Sequence, residues 1–182
     1  MTRSVPRRTR TRALAAAGAL VLAGSALAGC SAHPGQAATA SYDLPDGTHE
    51  SVTITENQVQ SAATQLKNVQ GLTSDAVLTD LIWLPAYEKV GKEHGITVTD
   101  DDARSALDSA KLDASSASQT TIDVVRSVLY SNAFSSLDQD TLAKVAVEFQ
   151  DIQDSSSIKA SPRYDTRRDF LDTTGSSSVK VG

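Results

Sequence analysis

Between Ser74 and His94 the chain carries apolar side chains on two sides of one helical turn pattern. Val77, Leu81 and Leu84 recur at spacings of three and four, with Leu78 and Ile82 beside them. Trp83, Tyr87 and Val90 recur at the same spacings across the helix. Such periodicity marks a helix, and a helix that is apolar on two sides needs neighbours on two sides. It is therefore expected to stand at the centre of a mainly α domain. One stripe faces the core. The Trp83, Tyr87, Val90 stripe has two readings: it is covered by other helices, or it floors an exposed groove. Aromatic side chains are favoured anchors for apolar and polypeptide partners, so these three are the candidate peptide-binding residues. Pro85 lacks an amide hydrogen and predicts a kink between Leu81 and Pro85. Gly95 follows as a helix stop.

The flanking segments supply the neighbours. Leu44-Pro45-Asp46-Gly47 is turn chemistry, with Pro presetting φ and Gly suited to a left-handed position. Val52-Thr53-Ile54 reads as a short strand, so a small hairpin is expected. Thr55-Glu56-Asn57-Gln58 has the form of a capping box. The helix it opens presents Val59, Ala62, Ala63, Leu66 and Val69 on one face and is expected to end at Gly71. Ile96-Thr97-Val98 is extended, and Thr99 to Asp102 caps a helix running to about Leu112, with acids in its first turn. A Ser/Ala-rich linker, residues 113–119, precedes a helix from about Thr121 to Ser135. A last helix, from about Gln139 to Gln153, places Leu142, Val145, Ala146, Phe149 and Ile152 on one face. Ile158 to Tyr164 reads as extended, with Pro162 unsuited to a central strand. The expected architecture is mainly α: about five helices with a small short-stranded β element. Its core is expected to comprise Val59, Leu66, Leu81, Ile82, Val125, Leu129, Leu142, Val145 and Phe149.

The amino-terminal segment is of another kind. The first twelve residues hold five arginines and no acid, and Ala13 to Ala28 contains only Ala, Leu, Val, Gly and Ser. The run ends Leu27-Ala28-Gly29-Cys30. A basic start, a short apolar stretch and small residues before a cut site make a secretory signal. The stretch falls short of the roughly 20 residues of a membrane span. Its last four residues match the bacterial lipobox, in which the cysteine thiol receives a diacylglyceryl group and becomes the first mature residue. Cys30 is accordingly the expected lipidation site, and two acyl chains hold a protein on a bilayer stably. Arg7-Arg8 raises the twin-arginine route, but the Thr-Arg-Thr-Arg that follows matches it poorly, so general export is preferred. The expected organisation is a signal peptide over residues 1–29, a small polar tether over 30–40, a helical domain over 41–164 and a polar tail over 165–182. The protein is expected on the extracytoplasmic face of the cell membrane, anchored through its lipid.

Charge narrows the partners. The full chain has a formal charge of −5 from 17 bases and 22 acids. Removing the signal takes five arginines and no acid, which leaves twelve bases against twenty-two acids, or −10 over 153 residues. That argues against nucleic acid, which demands a basic footprint, and against a peripheral grip on anionic lipid, so the lipid must do the anchoring. Cys30 is the only cysteine, so an acylated chain has no disulfide, thiolate metal site or thiol nucleophile. The histidines, His33, His49 and His94, share no helical face with metal-ligand spacing. His94 reads as a favourable charge at a helix end. Asp100-Asp101-Asp102 lacks the alternating ligands and turn glycine of a calcium loop, and Asp138-Gln139-Asp140 begins like one but puts Leu142 at a ligand position. No Gly-x-Ser-x-Gly elbow and no Gly-rich phosphate loop occurs. Arg163, Arg167 and Arg168 form a small basic cluster in an acidic chain and read as a solvated tail. No enzyme, metal or cofactor is expected.

The order of these elements, with Glu93-His94-Gly95-Ile96-Thr97-Val98-Thr99-Asp100-Asp101-Asp102 at its centre, resembles the amino-terminal domain of the SurA-like chaperones, which include the PrsA-type foldase lipoproteins. In that family an apolar helix commonly ends in a Gly-Ile-x-Val-[Ser/Thr]-Asp run that caps the next. Ala160-Ser161-Pro162-Arg163-Tyr164 is similar to the Asn-Pro-Arg-Tyr-Gly segment closing many actinobacterial lipoproteins of this type, with Ser161 and Asp165 replacing the flanking residues. The likeness spans about Val52 to Tyr164. It implies a chaperone-like module that binds unfolded or extended secreted polypeptides. Eighteen residues follow Tyr164, too few for the separate parvulin domain that carries isomerase activity in the family. The family's Val-Asn-Gly hairpin is replaced by a longer loop from Leu44 to Ser51. The resemblance carries over no catalytic residue. The alternative from the residues themselves is an adaptor lipoprotein that meets one folded partner.

Overall fold

The computed structural model describes residues 34–166. Five helices pack with a three-stranded antiparallel sheet, as the mainly α reading anticipates. Strand β1 (Gln36–Asp43) and strand β2 (His49–Thr55) form the hairpin around the Leu44–Gly47 turn. Gly47 takes φ +80°, where a side chain would be strained, and the Leu44 amide donates to the Thr48 carbonyl at 2.8 Å. Helix α1 (Glu56–Gln65) follows without a break, because Thr55 is both the last residue of β2 and the N-cap of a complete capping box with Gln58. Helices α2 (Ser74–Glu93), α3 (Asp100–Ser109), α4 (Gln119–Ser135) and α5 (Gln139–Ser155) come next. Strand β3 (Ser157–Ala160) returns to pair with β1 on the side away from β2, so the sheet order is β2-β1-β3.

Several boundaries differ from the sequence reading. Helix α3 stops at Ser109, short of Leu112, and the extended run expected over Ile158 to Tyr164 is strand only over Ser157–Ala160. Two further differences matter most. The tether expected over residues 30–40 is partly a strand: β1 begins at Gln36, and Ala37, Ala38 and Ala40 are buried. Small side chains with modest strand propensity concealed it. They suit the centre of a small sheet with helices close against it, and a register shift between Gln36 and Ala38 explains why two consecutive alanines are both inside. The first helix ends at Gln65, not at Gly71; Leu66 caps it, and Val69 and Leu72 pack against the core from turns. Pro162 lies just past the edge strand, where its missing amide costs no ladder bond.

The core has the predicted centre. Val59, Leu66, Leu81, Ile82, Val125, Val145 and Phe149 are buried. Leu129 is partly buried against them. Leu142 is only half-buried and Ala146 is exposed, because α5 turns a narrower face inward than expected: Val145, Phe149 and Ile152. Helices α2 and α4 meet closely at Gly91. A Cβ there would lie 2.7 Å from Tyr130 Cε1, and the space is taken by the Tyr130 ring. The Tyr130 hydroxyl in turn accepts the Val98 amide at 3.2 Å and pins the extended segment after α2.

Candidate functional site

The candidate residues Trp83, Tyr87 and Val90 lie together on α2 as their spacing requires, and all three are inside the domain. Trp83 is 3 % exposed, Tyr87 6 % and Val90 0 %. Of the two readings of this stripe, the exposed groove is corrected: these side chains are covered, because α4, α5 and the sheet close over the side of α2 that faces away from the first stripe. Trp83 lies against Tyr42 of β1, with ring centroids 5.2 Å apart. Tyr87 meets Phe134 of α4 at 6.0 Å and the edge of Phe149 of α5 at 5.7 Å. Phe134 and Phe149 meet edge to face at 5.2 Å, and Tyr130 stacks on Phe134 at 6.2 Å. The result is an aromatic core joining sheet, α2, α4 and α5. Burial pushes the Tyr42 and Tyr87 hydroxyls well above the ordinary phenol range; beside Tyr42 the Glu50 carboxylate adds to the effect. Both are neutral at any physiological pH.

Around Pro85 the backbone finds partners outside its own helix. Pro85 has no N–H to offer the Leu81 carbonyl four residues before it, and the carbonyls on either side of Leu81 accept from outside the helix. The Tyr42 hydroxyl donates to the Ile82 carbonyl at 2.9 Å, and the Ser127 hydroxyl of α4 donates to the Asp80 carbonyl at 2.7 Å. Ser127 is fully buried, so these two hydroxyls tie α2 to the sheet and to α4.

Several further polar groups join one element to another. Arg126 of α4 pairs with Glu88, stands 3.6 Å from Asp100 and 3.7 Å from Asp123, and donates to the Val98 carbonyl at 3.3 Å. The sequence reading missed it, although a lone cation between Val125 and Leu129 signals a charge that needs partners. His94 is the C-cap of α2, and its Nε2 lies 3.0 Å from Glu148 Oε2 of α5. His49 Nδ1 lies 2.7 Å from Asp43 Oδ1 at the hairpin mouth; His33 is outside the described residues. Asp102 completes the capping box of α3, and the Thr99 hydroxyl and amide that donate to it hold its carboxyl below the ordinary range. Asp138 is itself the N-cap of α5, accepting from the Thr141 amide, and its carboxyl is likewise held below the ordinary range. Among the described residues no group of three or more His, Cys, Asp or Glu side chains could hold a metal.

A second feature forms where the start of α2 meets the segment after β3. Asp75, at the start of α2, and residues 160–166 line an open polar cleft. Tyr164 is largely buried beside it, and its hydroxyl donates to Glu56 of α1 and accepts from Gln60 Nε2 at 3.3 Å. The Asp165 amide donates to Asp75 Oδ1 at 3.3 Å. Arg163 is 75 % exposed and approaches Glu56 only to 3.8 Å. Arg167 and Arg168 lie outside the described residues, as does Cys30, the expected lipidation site. No helix among the described residues is long and apolar enough to cross a membrane. No protein family, curated protein or solved structure matches the chain.

Proposed function

We propose that the chain is an extracytoplasmic lipoprotein, held to the cell membrane through acylated Cys30, whose folded part works by binding a folded protein partner as an adaptor. The anchor rests on the Leu27-Ala28-Gly29-Cys30 run behind its basic and apolar leader. The adaptor reading rests on one observation: Trp83, Tyr87 and Val90, the aromatic stripe a client groove would use, are buried in the core. Among the described residues the large hydrophobe standing exposed is Val147, isolated on α5, and single exposed apolar residues are ordinary on any surface.

The chaperone-like reading, a polypeptide-binding module without an isomerase domain, is the second. The observation that favours it is the Gly95–Asp102 run, which stops α2 at a glycine with φ +74° and caps α3 from Thr99, in the manner of the SurA-like amino-terminal domain it resembles. Affinity capture with the mature, lipidated protein separates the two. A single stoichiometric folded partner is the expected result; many unrelated unfolded secreted chains would transfer the assignment to the chaperone. Replacing Cys30 with Ser should release the protein from the membrane fraction or stop its maturation. A processed Cys30→Ser protein that still needs detergent for extraction would remove the anchor.

A further inference from the structure

Five residues, 31–35, separate the expected acylation site Cys30 from Gln36, the first residue of β1. At no more than about 3.5 Å per residue, they keep the start of β1 within roughly 20 Å of the lipid-bearing residue. The fold fixes which elements share the end of the domain that the tether enters. Gln36 stands opposite Thr55, so the start of α1 is there. The Ser161 amide donates to the Ala37 carbonyl at 2.8 Å, which brings the segment after β3 to the same end. Asp75 places the start of α2 beside it through Asp165. The hairpin turn at Leu44–Thr48 and the end of α2 lie at the other end, joined by Lys89 and Asp46 at 2.7 Å.

Charge divides the same way. At the β1-start end, Lys159 and Arg163 nearly balance Glu56, Asp75 and Asp165. Glu56 is engaged by the Tyr164 hydroxyl and Asp75 by a backbone amide, whereas Arg163 reaches into solvent. The other described residues hold seven bases and seventeen acids, a charge of −10. An anionic leaflet attracts exposed bases close to it and repels an acidic body, over a range of about one Debye length, roughly 8 Å.

We propose that the end of the domain formed by the start of β1, the start of α1 and residues 160–165 is a bilayer-facing surface, with Arg163 meeting anionic phospholipid headgroups and the acidic remainder directed away. This rests on the lipid-anchored reading above and adds an orientation to it. The surface sets how the module is presented: the turn at Leu44–Thr48 and the end of α2 are what an extracytoplasmic partner meets first.

Acylation of Cys30 consumes the only native thiol, so a cysteine introduced elsewhere is uniquely labelled. Lipidated Ser161→Cys and Thr48→Cys proteins, each labelled with a donor dye, are reconstituted into phosphatidylglycerol-containing vesicles carrying a headgroup acceptor. Energy transfer from position 161 should exceed that from position 48, reflecting a separation near the length of β1, about 25 Å for eight residues. Adding Arg163→Glu should narrow that difference on anionic vesicles and leave it unchanged on purely zwitterionic ones. Vesicle-bound protein with equal transfer from both positions, or more from position 48, overturns the orientation and leaves the anchor standing. An unchanged difference for Arg163→Glu on anionic vesicles overturns the headgroup contact. Protein that does not incorporate into either vesicle type takes the anchored reading down together with this one.

Discussion

Trp83 is the chain's single tryptophan, and it sits between the sheet and α2 with Tyr42 against it. Its neighbour Tyr42 is also a structural tie, since its hydroxyl serves the Ile82 carbonyl one turn before Pro85. Removing the indole therefore opens a large cavity beside the tyrosine that ties α2 to the sheet. Truncating a buried aromatic costs about 3–5 kcal/mol, a large share of the roughly 5–15 kcal/mol that stabilises a domain of this size. Trp83→Ala should lower the melting temperature steeply or leave the protein unfolded, as followed by circular dichroism. The emission of the intact protein should be blue-shifted and shielded from iodide, and adding an unfolded polypeptide should not move it. A mutant that melts near the parent temperature would place Trp83 outside the core.

At the level of elements, the helices are started by side chains and several of those side chains are acids. Asp102 accepts from the Thr99 hydroxyl at the head of α3, Asp138 from the Thr141 hydroxyl and amide at the head of α5, and Asp113 from the Ser115 hydroxyl in the turn before α4. Asp46, in the hairpin turn, accepts from Lys89 and then from Thr48. Each carboxyl is held below its ordinary range by hydrogen bonds to the charged form. A group whose folded value is depressed binds fewer protons folded than unfolded as the solution acidifies, so its stabilisation is complete above the unfolded value and disappears as pH falls through the folded one. Melting temperature should hold level near neutrality and decline steadily below about pH 5. A melting temperature that stays flat into the acid range would show that the caps contribute nothing. These caps were also what made the helices legible: Thr55 and Thr99 announce α1 and α3 through local chemistry that needs no tertiary context. Local signals served α1 less well at its end, where tertiary packing of Val69 and Leu72 in turns imitates helical periodicity.

For the whole molecule, the centrality of α2 was legible because a double apolar stripe has no other home. Whether Trp83 faced a groove or a core was not, since that depends on where α4, α5 and the sheet close, and no local pattern encodes such closure. The sheet was the least legible part for the same reason. Gln36-Ala37-Ala38-Thr39-Ala40 has little strand character by itself and becomes the middle strand through partners at both ends of the domain: β2 immediately after it, and β3 more than a hundred residues later. For a chain exported as proposed above, that arrangement has a consequence for folding. Translocation delivers the amino-terminal side first, so β1 and β2 emerge early and can form only a two-stranded hairpin, which is marginal in water. The third strand belongs to the last part of the domain to arrive, and closing so long a loop carries an entropic cost that the early segments cannot offset. Under that proposal the domain would complete its sheet only once its last segment had arrived, and until then β1 would lack its third-strand partner.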